Sequence, residues 1–212
     1  MSVQQIFDEF LKGIANTSLL EYIAVVSGIV SVWFSRKENI LVFPTGLANT
    51  VIYVYLSFKY HLLGEASVNF YYTVMSVYGW WLWARKDVRL QHVVTIKFST
   101  RKEQLQQLLF FATFYAVIYL ALFHLKQSFA TGAIPWADAL ASASAFTGMW
   151  LMARKKVESW YWWILTNACS IPLYFVKGLV FTSVYYLILL VMAFWGLFEW
   201  VRKAKENKIV HA

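Results

Sequence analysis

NFYYTVMSVYGWWLWARK, residues 69–86, is an apolar stretch in which polar and indole side chains recur at a helical spacing. The intervals between them are four, three, four and three residues, for Asn69, Thr73, Ser76, Trp80 and Trp83. An α-helix places side chains at these intervals on one face. An amide, two hydroxyls and two indoles on one face are suited to a flat polar ligand, although another helix or lipid would fit the same face.

The stretch has a counterpart at residues 186–203, YLILLVMAFWGLFEWVRK, and the match extends into a long internal repeat. A shift of 117 residues aligns Met75 with Met192, Gly79 with Gly196, Trp83 with Trp200, Arg85 with Arg202 and Lys86 with Lys203. A shift of 118 residues aligns Arg36 with Arg154, Asn49 with Asn167 and Lys59 with Lys177. Self-similarity of this kind predicts two copies of one structural unit, residues 19–86 and 136–203.

The composition predicts an all-α membrane protein. Of the 212 residues, 60% are hydrophobic and 14% are charged, whereas about 25% are charged in a typical soluble domain. Seven apolar stretches approach or reach the roughly 17 to 25 residues that cross a bilayer as a helix. They are residues 19–35, 40–58, 67–84, 105–124, 136–153, 159–176 and 179–201. The sequence therefore predicts seven transmembrane helices, and the single Cys169 excludes an intramolecular disulfide.

The distribution of basic residues predicts the topology. Fifteen of the 19 Lys and Arg residues follow the first, third, fifth and seventh stretches, and these fifteen include every Arg. By the positive-inside rule these ends face the cytoplasm, so the C-terminus is predicted inside and the N-terminus outside. Because the basic residues cluster at span ends, the net charge of +8 indicates membrane topology and not nucleic acid binding.

The repeat and the span count together predict an architecture. Three spans reverse the direction of the chain, so two copies of a three-helix unit share one orientation only if a further helix crosses between them. A 3+1+3 arrangement of parallel repeats, as in SWEET-type transporters, is therefore predicted, with substrate bound near the midplane between the units. The linker helix lies at about 105–124 within segment 87–135. Residues 1–18 are predicted to form an amphipathic interfacial helix, and residues 204–212 a cytoplasmic tail.

Polar side chains inside the spans are the candidate binding groups. Asn49 and Tyr53 lie one turn apart on the second span, and Trp163, Asn167 and Tyr174 follow a similar spacing on the sixth. Because both Asn residues would face the axis between the units, contact with a ligand is predicted for at least one of them. The alternative for each Asn is a hydrogen bond that joins two helices.

Proline and tryptophan residues suggest further roles within the spans. Pro172 follows Asn167 by five residues and leaves a carbonyl without its helical donor, so a kink there would help a helix to gate. A static kink tolerated by packing is the alternative. Trp195, like Trp80 and Trp83, shares a face with polar residues and is a candidate for an aromatic slot. Interfacial belts are predicted for the tryptophans close to span ends: Trp33, Trp136, Trp150, Trp160 and Trp200.

The sequence lacks acidic residues at span centres and lacks catalytic motifs, which limits the possible mechanisms. No acidic residue occupies the centre of a span, where a proton-coupling group is expected. Facilitated diffusion by alternating access is therefore predicted. The sequence contains no HExxH, GxSxG or Walker A motif and no Cys/His cluster with zinc spacing, so neither an enzyme, a cofactor nor a metal site is predicted.

Two segments resemble the PnuC family of vitamin-precursor transporters: VYGWWLW at residues 77–83 and ARKKVESWYWWILTN at residues 153–167. The resemblance covers both repeats in order and implies a seven-helix facilitator of the bacterial cytoplasmic membrane, often a homotrimer. Members carry nicotinamide riboside, and relatives carry thiamine or riboflavin, which a cytoplasmic kinase then traps as a phosphorylated product. By resemblance, the site is lined by Trp80, Trp83, Asn49, Trp163 and Asn167.

Position 76 bears on the choice among these substrates. Riboside-carrying relatives tend to have Gln and Asn where this chain has Asn69 and Ser76, and Ser offers one hydrogen-bonding group fewer than Asn. Nicotinamide riboside is the predicted substrate, and thiamine, which is also a cationic heteroaromatic compound, is the alternative. A membrane scaffold without transport activity is the alternative from another functional class.

Overall fold

The computed structural model describes residues 3–59, 63–86, 93–129 and 132–210, most of which are helical. Eight α-helices follow one another: α1 (Val3–Asn16), α2 (Leu19–Arg36), α3 (Val42–Lys59), α4 (Leu63–Ala84), α5 (Arg101–Phe129), α6 (Pro135–Ala153), α7 (Ser159–Val176) and α8 (Val180–Val210). Each of the seven predicted apolar stretches coincides with one of the helices α2 to α8. The all-α prediction is therefore confirmed for the described residues.

Local sequence fixes several helix ends. Ser18 and Glu21 form a reciprocal capping box at the start of α2, in which the backbone N–H of Ser18 donates to the Glu21 carboxylate over 2.7 Å. Pro135 is the first residue of α6, where its missing N–H costs nothing. Gly178 follows α7 with a φ of +77°, a backbone conformation that residues with a Cβ rarely adopt.

The helices differ in how strongly they favour the membrane. Three segments are long and apolar enough by themselves to cross a bilayer: Leu19–Arg36, Arg101–His124 and Val180–Ile209. Helices α3 and α7 have 18 residues, α6 has 19 and α4 has 22, which correspond to roughly 27 to 33 Å at the α-helical rise. These four helices are long enough to span, but polar and small side chains lower their mean hydropathy.

The helices pack as two triplets that match the sequence repeat. In the first, α2 packs on α3 and α3 on α4; in the second, α6 packs on α7 and α7 on α8. Between the triplets, α4 contacts α6 and α2 contacts α8. In the repeat, α2 corresponds to α6 and α4 corresponds to α8. The contact of α4 with α6 is therefore equivalent to the contact of α8 with α2. Outside the triplets, α5 packs on α6 and α1 packs on α8.

Aromatic rings fill the interface between the triplets at the end where the basic residues cluster. Phe43 packs edge-on against Trp83 and Trp160 against Trp200, with ring centroids 5.0 and 5.6 Å apart. Trp83 and Trp200 then meet at 6.3 Å. The belt prediction is wrong for Trp160 and Trp200, which are fully buried. The physical reason is that Gly196 provides the space into which the Trp160 ring turns inward.

The segment before α5 crosses the loop between α6 and α7. Lys97 donates its backbone N–H to the carbonyl of Lys155 over 3.2 Å and accepts from Val157 over 3.1 Å. Two residues later, the backbone N–H and the hydroxyl of Ser99 both donate to the buried carboxylate of Glu158, at 2.9 Å each. These bonds fasten the start of α5 to the second triplet, and they include a parallel β-bridge between Lys97 and Lys156.

Candidate functional site

Asn49 and Asn167 occupy equivalent positions of the repeat but have different surroundings. The side-chain amide of Asn49 donates to the carbonyl of Ala24 over 2.7 Å and so joins α3 to α2. Asn167 is only 4% exposed, and its side-chain amide makes no hydrogen bond to another residue in the part of the chain that is described. The amide is not among the fully buried side-chain groups that lack a partner in the described residues, so part of it remains accessible. Asn167 is therefore a group that a polar ligand would satisfy.

Aromatic rings flank Asn167 along α7. Trp163, one turn earlier, lies 6.3 Å from Tyr72 of α4, measured between ring centroids. Tyr174, two turns later, stacks on Tyr186 of α8 with centroids 5.2 Å apart and planes tilted by 11°. The structure thus brings the predicted residues Trp163, Asn167 and Tyr174 together with rings from α4 and α8.

Sequence analysis missed Tyr72 and Tyr186. Tyr72 lies between the predicted faces of α4, and no spacing rule selects it. Tyr186 could have been found from the repeat, because a shift of 117 residues aligns it with Asn69, a predicted site residue. Applying the repeat to every candidate residue, and not only to the identical pairs, would have found it.

The predicted polar face of α4 is largely taken up by contacts with its own helix and with α3. Asn69 donates to the carbonyl of Glu65 on the same helix over 3.0 Å. The Thr73 hydroxyl lies 3.0 Å from that of Thr50 on α3. Ser76 is buried beside Gly46 of α3. Tyr53 of α3 is partly buried, one turn beyond Asn49.

The three predicted tryptophans outside this cluster lie in different places. Trp80 is 40% and Trp195 is 51% exposed, so both lie on the outer surface and away from Asn167. Trp83 is buried, and its indole N–H donates to the carbonyl of Ala153 on α6 over 3.1 Å. Trp83 therefore joins the two triplets at the basic end.

The basic end of the interface is closed by reciprocal contacts. Trp200, the repeat counterpart of Trp83, donates its indole N–H to the carbonyl of Ser35 on α2 over 3.1 Å. Beside these bonds, the ammonium of Lys155 lies 2.7 Å from the carboxylate of Glu38. An open cleft of about 620 Å³ outside this closure is lined by Glu38, Asn39, Ile40, Trp83, Ala84, Lys86 and Lys155.

Pro172 lies within α7, which continues through it to Val176. The side chain is exposed, and on the neighbouring residue the carbonyl of Ile171 accepts a hydrogen bond from the Ser183 hydroxyl over 2.9 Å. The turn of α7 that leads into the proline is therefore held to α8. A gating role for Pro172 stays a prediction.

Charged groups in the described residues pair at the ends of the bundle. Lys177 binds Asp138 over 2.7 Å at the end opposite the basic cluster, and Lys156 binds Glu103 over 2.6 Å at the basic end. Among the described residues, no group of three or more His, Cys, Asp or Glu side chains is placed to hold a metal ion.

Comparisons with known proteins agree with this architecture. Residues 18–202 match the family described as nicotinamide mononucleotide transporter. A solved structure, the vitamin B3 transporter PnuC, superposes with a TM-score of 0.71 at 23% identity, covering 96% of this chain and 90% of the other. That likeness shows the fold.

Curated relatives of similar length carry transporter names. The riboflavin/roseoflavin transporter RibM of Streptomyces davaonensis is 24% identical over 183 residues, which cover 86% of this chain and 84% of the relative. The nicotinamide riboside transporter PnuC of Escherichia coli is 23% identical over 212 aligned residues, 91% of this chain and 89% of the relative. These relatives confirm both the predicted resemblance and the prediction that the chain is not an enzyme. The chain belongs to the nicotinamide mononucleotide transporter family, the PnuC family of membrane transport proteins.

Proposed function

We propose that this protein carries nicotinamide riboside across the bacterial cytoplasmic membrane, with Asn167 as the central recognition group. The observation that carries the proposal is the side-chain amide of Asn167, which makes no hydrogen bond to another described residue. It lies on α7 between Trp163 and Tyr174, each of which packs near a further aromatic ring. Nicotinamide riboside combines a carboxamide with a cationic pyridinium ring. A carboxamide pairs with an Asn amide through complementary donors and acceptors, and a desolvated cation on an aromatic ring gains up to about 2 kcal/mol.

The proposed mechanism is alternating access between the two repeat units. Seven helices span the membrane in a 3+1+3 arrangement, with the N-terminus outside and the basic end in the cytoplasm. In this mechanism the Trp83, Trp200 and Glu38–Lys155 contacts close the cytoplasmic end and separate when it opens. Pro172 gives α7 a point at which to bend during that change.

Transport in this proposal is facilitated diffusion. No acidic residue lies at the centre of a span to couple transport to protons. A cytoplasmic kinase that phosphorylates the product keeps the internal substrate concentration low, so uptake continues down the gradient. We further propose a homotrimer, the assembly that the family resemblance implies.

Uptake into liposomes tests the proposal. Purified full-length protein in liposomes is expected to equilibrate radiolabelled nicotinamide riboside without an ion gradient, with saturation and without an effect of a protonophore. Protein-free liposomes are the control. Uptake no greater than in that control would reject this substrate, and a requirement for an ion gradient would reject facilitated diffusion.

Riboflavin and thiamine are the competing substrates. Riboflavin is considered because RibM, which is 24% identical, is named a riboflavin transporter. Thiamine is considered because this chain has Ser76 where riboside-carrying relatives tend to have Asn. Unlabelled riboflavin or thiamine is expected to compete with labelled nicotinamide riboside only at far higher concentration than unlabelled nicotinamide riboside itself. Stronger competition by either vitamin would reassign the substrate. A scaffold without transport predicts that none of the three raises the unfolding temperature.

A further inference from the structure

The outer surface between α2 and α8 carries a groove of about 580 Å³ at the basic end of the bundle. We call it the α2–α8 groove, and it is lined by Trp33, Arg36, Trp195, Phe198, Glu199 and Arg202. Three lining side chains are aromatic, and two are guanidinium groups. The groove lies outside the cluster around Asn167, so substrate recognition does not account for it.

The repeat provides a covered counterpart of this groove. Arg36 lies 4.0 Å above the Trp33 ring on α2, and Arg154 lies 4.6 Å above the Trp150 ring on α6. On α6, the linker helix covers the pair, because Phe110 of α5 stacks on Trp150 with centroids 4.8 Å apart. On α2, the described residues place no equivalent helix, and Trp33, Trp195 and Phe198 remain exposed. The Trp33–Arg36 pair of α2 is thus uncovered, whereas the corresponding pair of α6 is covered by α5.

The charges of the groove select an anionic occupant. Arg36 and Arg202 face a single acidic residue, Glu199, and Lys37 lies nearby, 5.3 Å from the Trp33 ring. Nε of Arg36 lies 3.3 Å from a Glu199 oxygen, but its N–H is not directed at that oxygen and has no hydrogen-bond acceptor in the described residues. The side chain of Arg202 is 70% exposed, with only a 3.8 Å contact to Glu206. Positive charge therefore remains uncompensated.

We propose that the α2–α8 groove binds one anionic phospholipid of the leaflet at the basic end. The phosphate would lie between Arg36 and Arg202, whose N–H groups suit phosphate oxygens, and an acyl chain would cover Trp195 and Phe198. Basic pockets between membrane helices bind anionic head groups by the same chemistry. The proposal requires that this end of the bundle lies at a membrane surface, and it does not depend on which substrate is transported.

Lipid binding to the full-length protein tests the proposal, with a matched pair of variants. Native mass spectrometry and thermal unfolding are measured in detergent during titration with phosphatidylglycerol, phosphatidylcholine or inorganic phosphate. Arg202→Gln removes a groove guanidinium, and Arg85→Gln removes its exposed repeat counterpart above Trp81. Phosphatidylglycerol is expected to bind the unchanged protein and Arg85→Gln equally, and to bind Arg202→Gln about fivefold more weakly.

Three results would overturn the proposal. Equal binding of phosphatidylcholine and phosphatidylglycerol would show that charge does not select the occupant, and equal loss in the two Arg variants would show diffuse attraction without a site. Stabilisation by inorganic phosphate alone to the same extent would remove the role of the acyl chain. A further experiment addresses protein as the occupant: Phe198→Cys in a Cys169→Ser background is expected to form no disulfide-linked dimer under oxidation in membranes. A disulfide-linked dimer would assign the groove to a second copy of the chain.

Discussion

Glu38 and Lys155 occupy the same place in the turns that follow α2 and α6, and the carboxylate of one lies 2.7 Å from the ammonium of the other. Each follows the first helix of its unit by two residues, and each has a left-handed backbone, with φ of 60° and 53°. Lys155 is buried, and its ammonium also lies 4.6 Å from the centre of the Trp83 ring. The same turn of the two units has therefore diverged in charge, so that the two units form an ion pair with each other.

Reversing one charge of this pair is expected to destabilise the protein. Glu38→Lys places one new cation beside the buried ammonium of Lys155 and near that of Lys203, and breaking a buried pair costs about 3 to 5 kcal/mol. Lys155→Glu is expected to act in the same direction. The exchange Glu38→Lys with Lys155→Glu restores opposite charges and keeps residues with a Cβ at both left-handed positions, so most of the lost stability should return. Chemical unfolding in detergent measures each free energy.

The exposed pair of Glu9 and Lys12, 2.9 Å apart, is the control for the charge exchange. An exposed pair contributes about 0 to 1 kcal/mol, so Glu9→Lys should leave the free energy of unfolding almost unchanged. An exchanged variant that is no more stable than the worse single variant would contradict a direct interaction between Glu38 and Lys155.

The two equivalent Asn residues are expected to respond differently to removal of the amide. Asn49→Ala loses the bond to Ala24 and should lower the free energy of unfolding by about 1 kcal/mol. Asn167→Ala removes an amide without a partner in the described residues, so the ligand-free protein should lose no stability. The same variant should lose the stabilisation by nicotinamide riboside, which is about 2.7 kcal/mol at a hundred times the Kd. Thermal unfolding with and without ligand measures both effects.

The result for Asn167→Ala distinguishes a transporter from a membrane scaffold without transport activity. If Asn167→Ala destabilises the ligand-free protein as much as Asn49→Ala does, both amides join helices, and the proposed recognition group is lost. If Asn167→Ala still shows the full ligand shift, the ligand binds elsewhere.

Two equivalent glycines allow the aromatic rings at the basic end to pack. A methyl group at Gly79 would overlap the ring of Phe43, and one at Gly196 would overlap the ring of Trp160. Gly79→Ala and Gly196→Ala are each expected to cost about 1 to 3 kcal/mol, because overpacking displaces a buried ring. Phe43→Leu combined with Gly79→Ala should recover part of the loss. Val77→Ala, at an exposed position of α4, is the control, and a similar cost there would show that the ring contact is not responsible.

The helices and the repeat could be predicted because both depend on patterns in the sequence itself. The apolar runs located α2 to α8, although α5 and α8 extend beyond the predicted spans, to Phe129 and Val210. Identical residues at shifts of 117 and 118 identified the pairs Trp83 and Trp200, and Asn49 and Asn167. These properties depend on neighbouring residues along the chain, or on comparison of the chain with itself. They require no knowledge of how distant helices approach each other.

The direction of individual side chains could not be predicted, because it depends on packing between distant helices. Trp80 and Trp83 share one helical face by spacing, yet Trp80 is on the surface and Trp83 is buried against α6. The equivalence of Asn49 and Asn167 did not reveal that only Asn49 bonds to a neighbouring backbone carbonyl. The two units therefore differ where the candidate site lies.

The reciprocal indole bonds predict equal effects for two distant substitutions. Trp83→Phe leaves the Ala153 carbonyl without its donor, and Trp200→Phe does the same to Ser35, so each should lower the free energy of unfolding by about 1 kcal/mol. Because the rings touch, the double variant should depart from additivity. Chemical unfolding in detergent measures all three variants, and the exposed Trp136→Phe serves as the control. If Trp83→Phe lowers the free energy of unfolding and Trp200→Phe leaves it unchanged, only one of the two indole bonds holds the basic end closed.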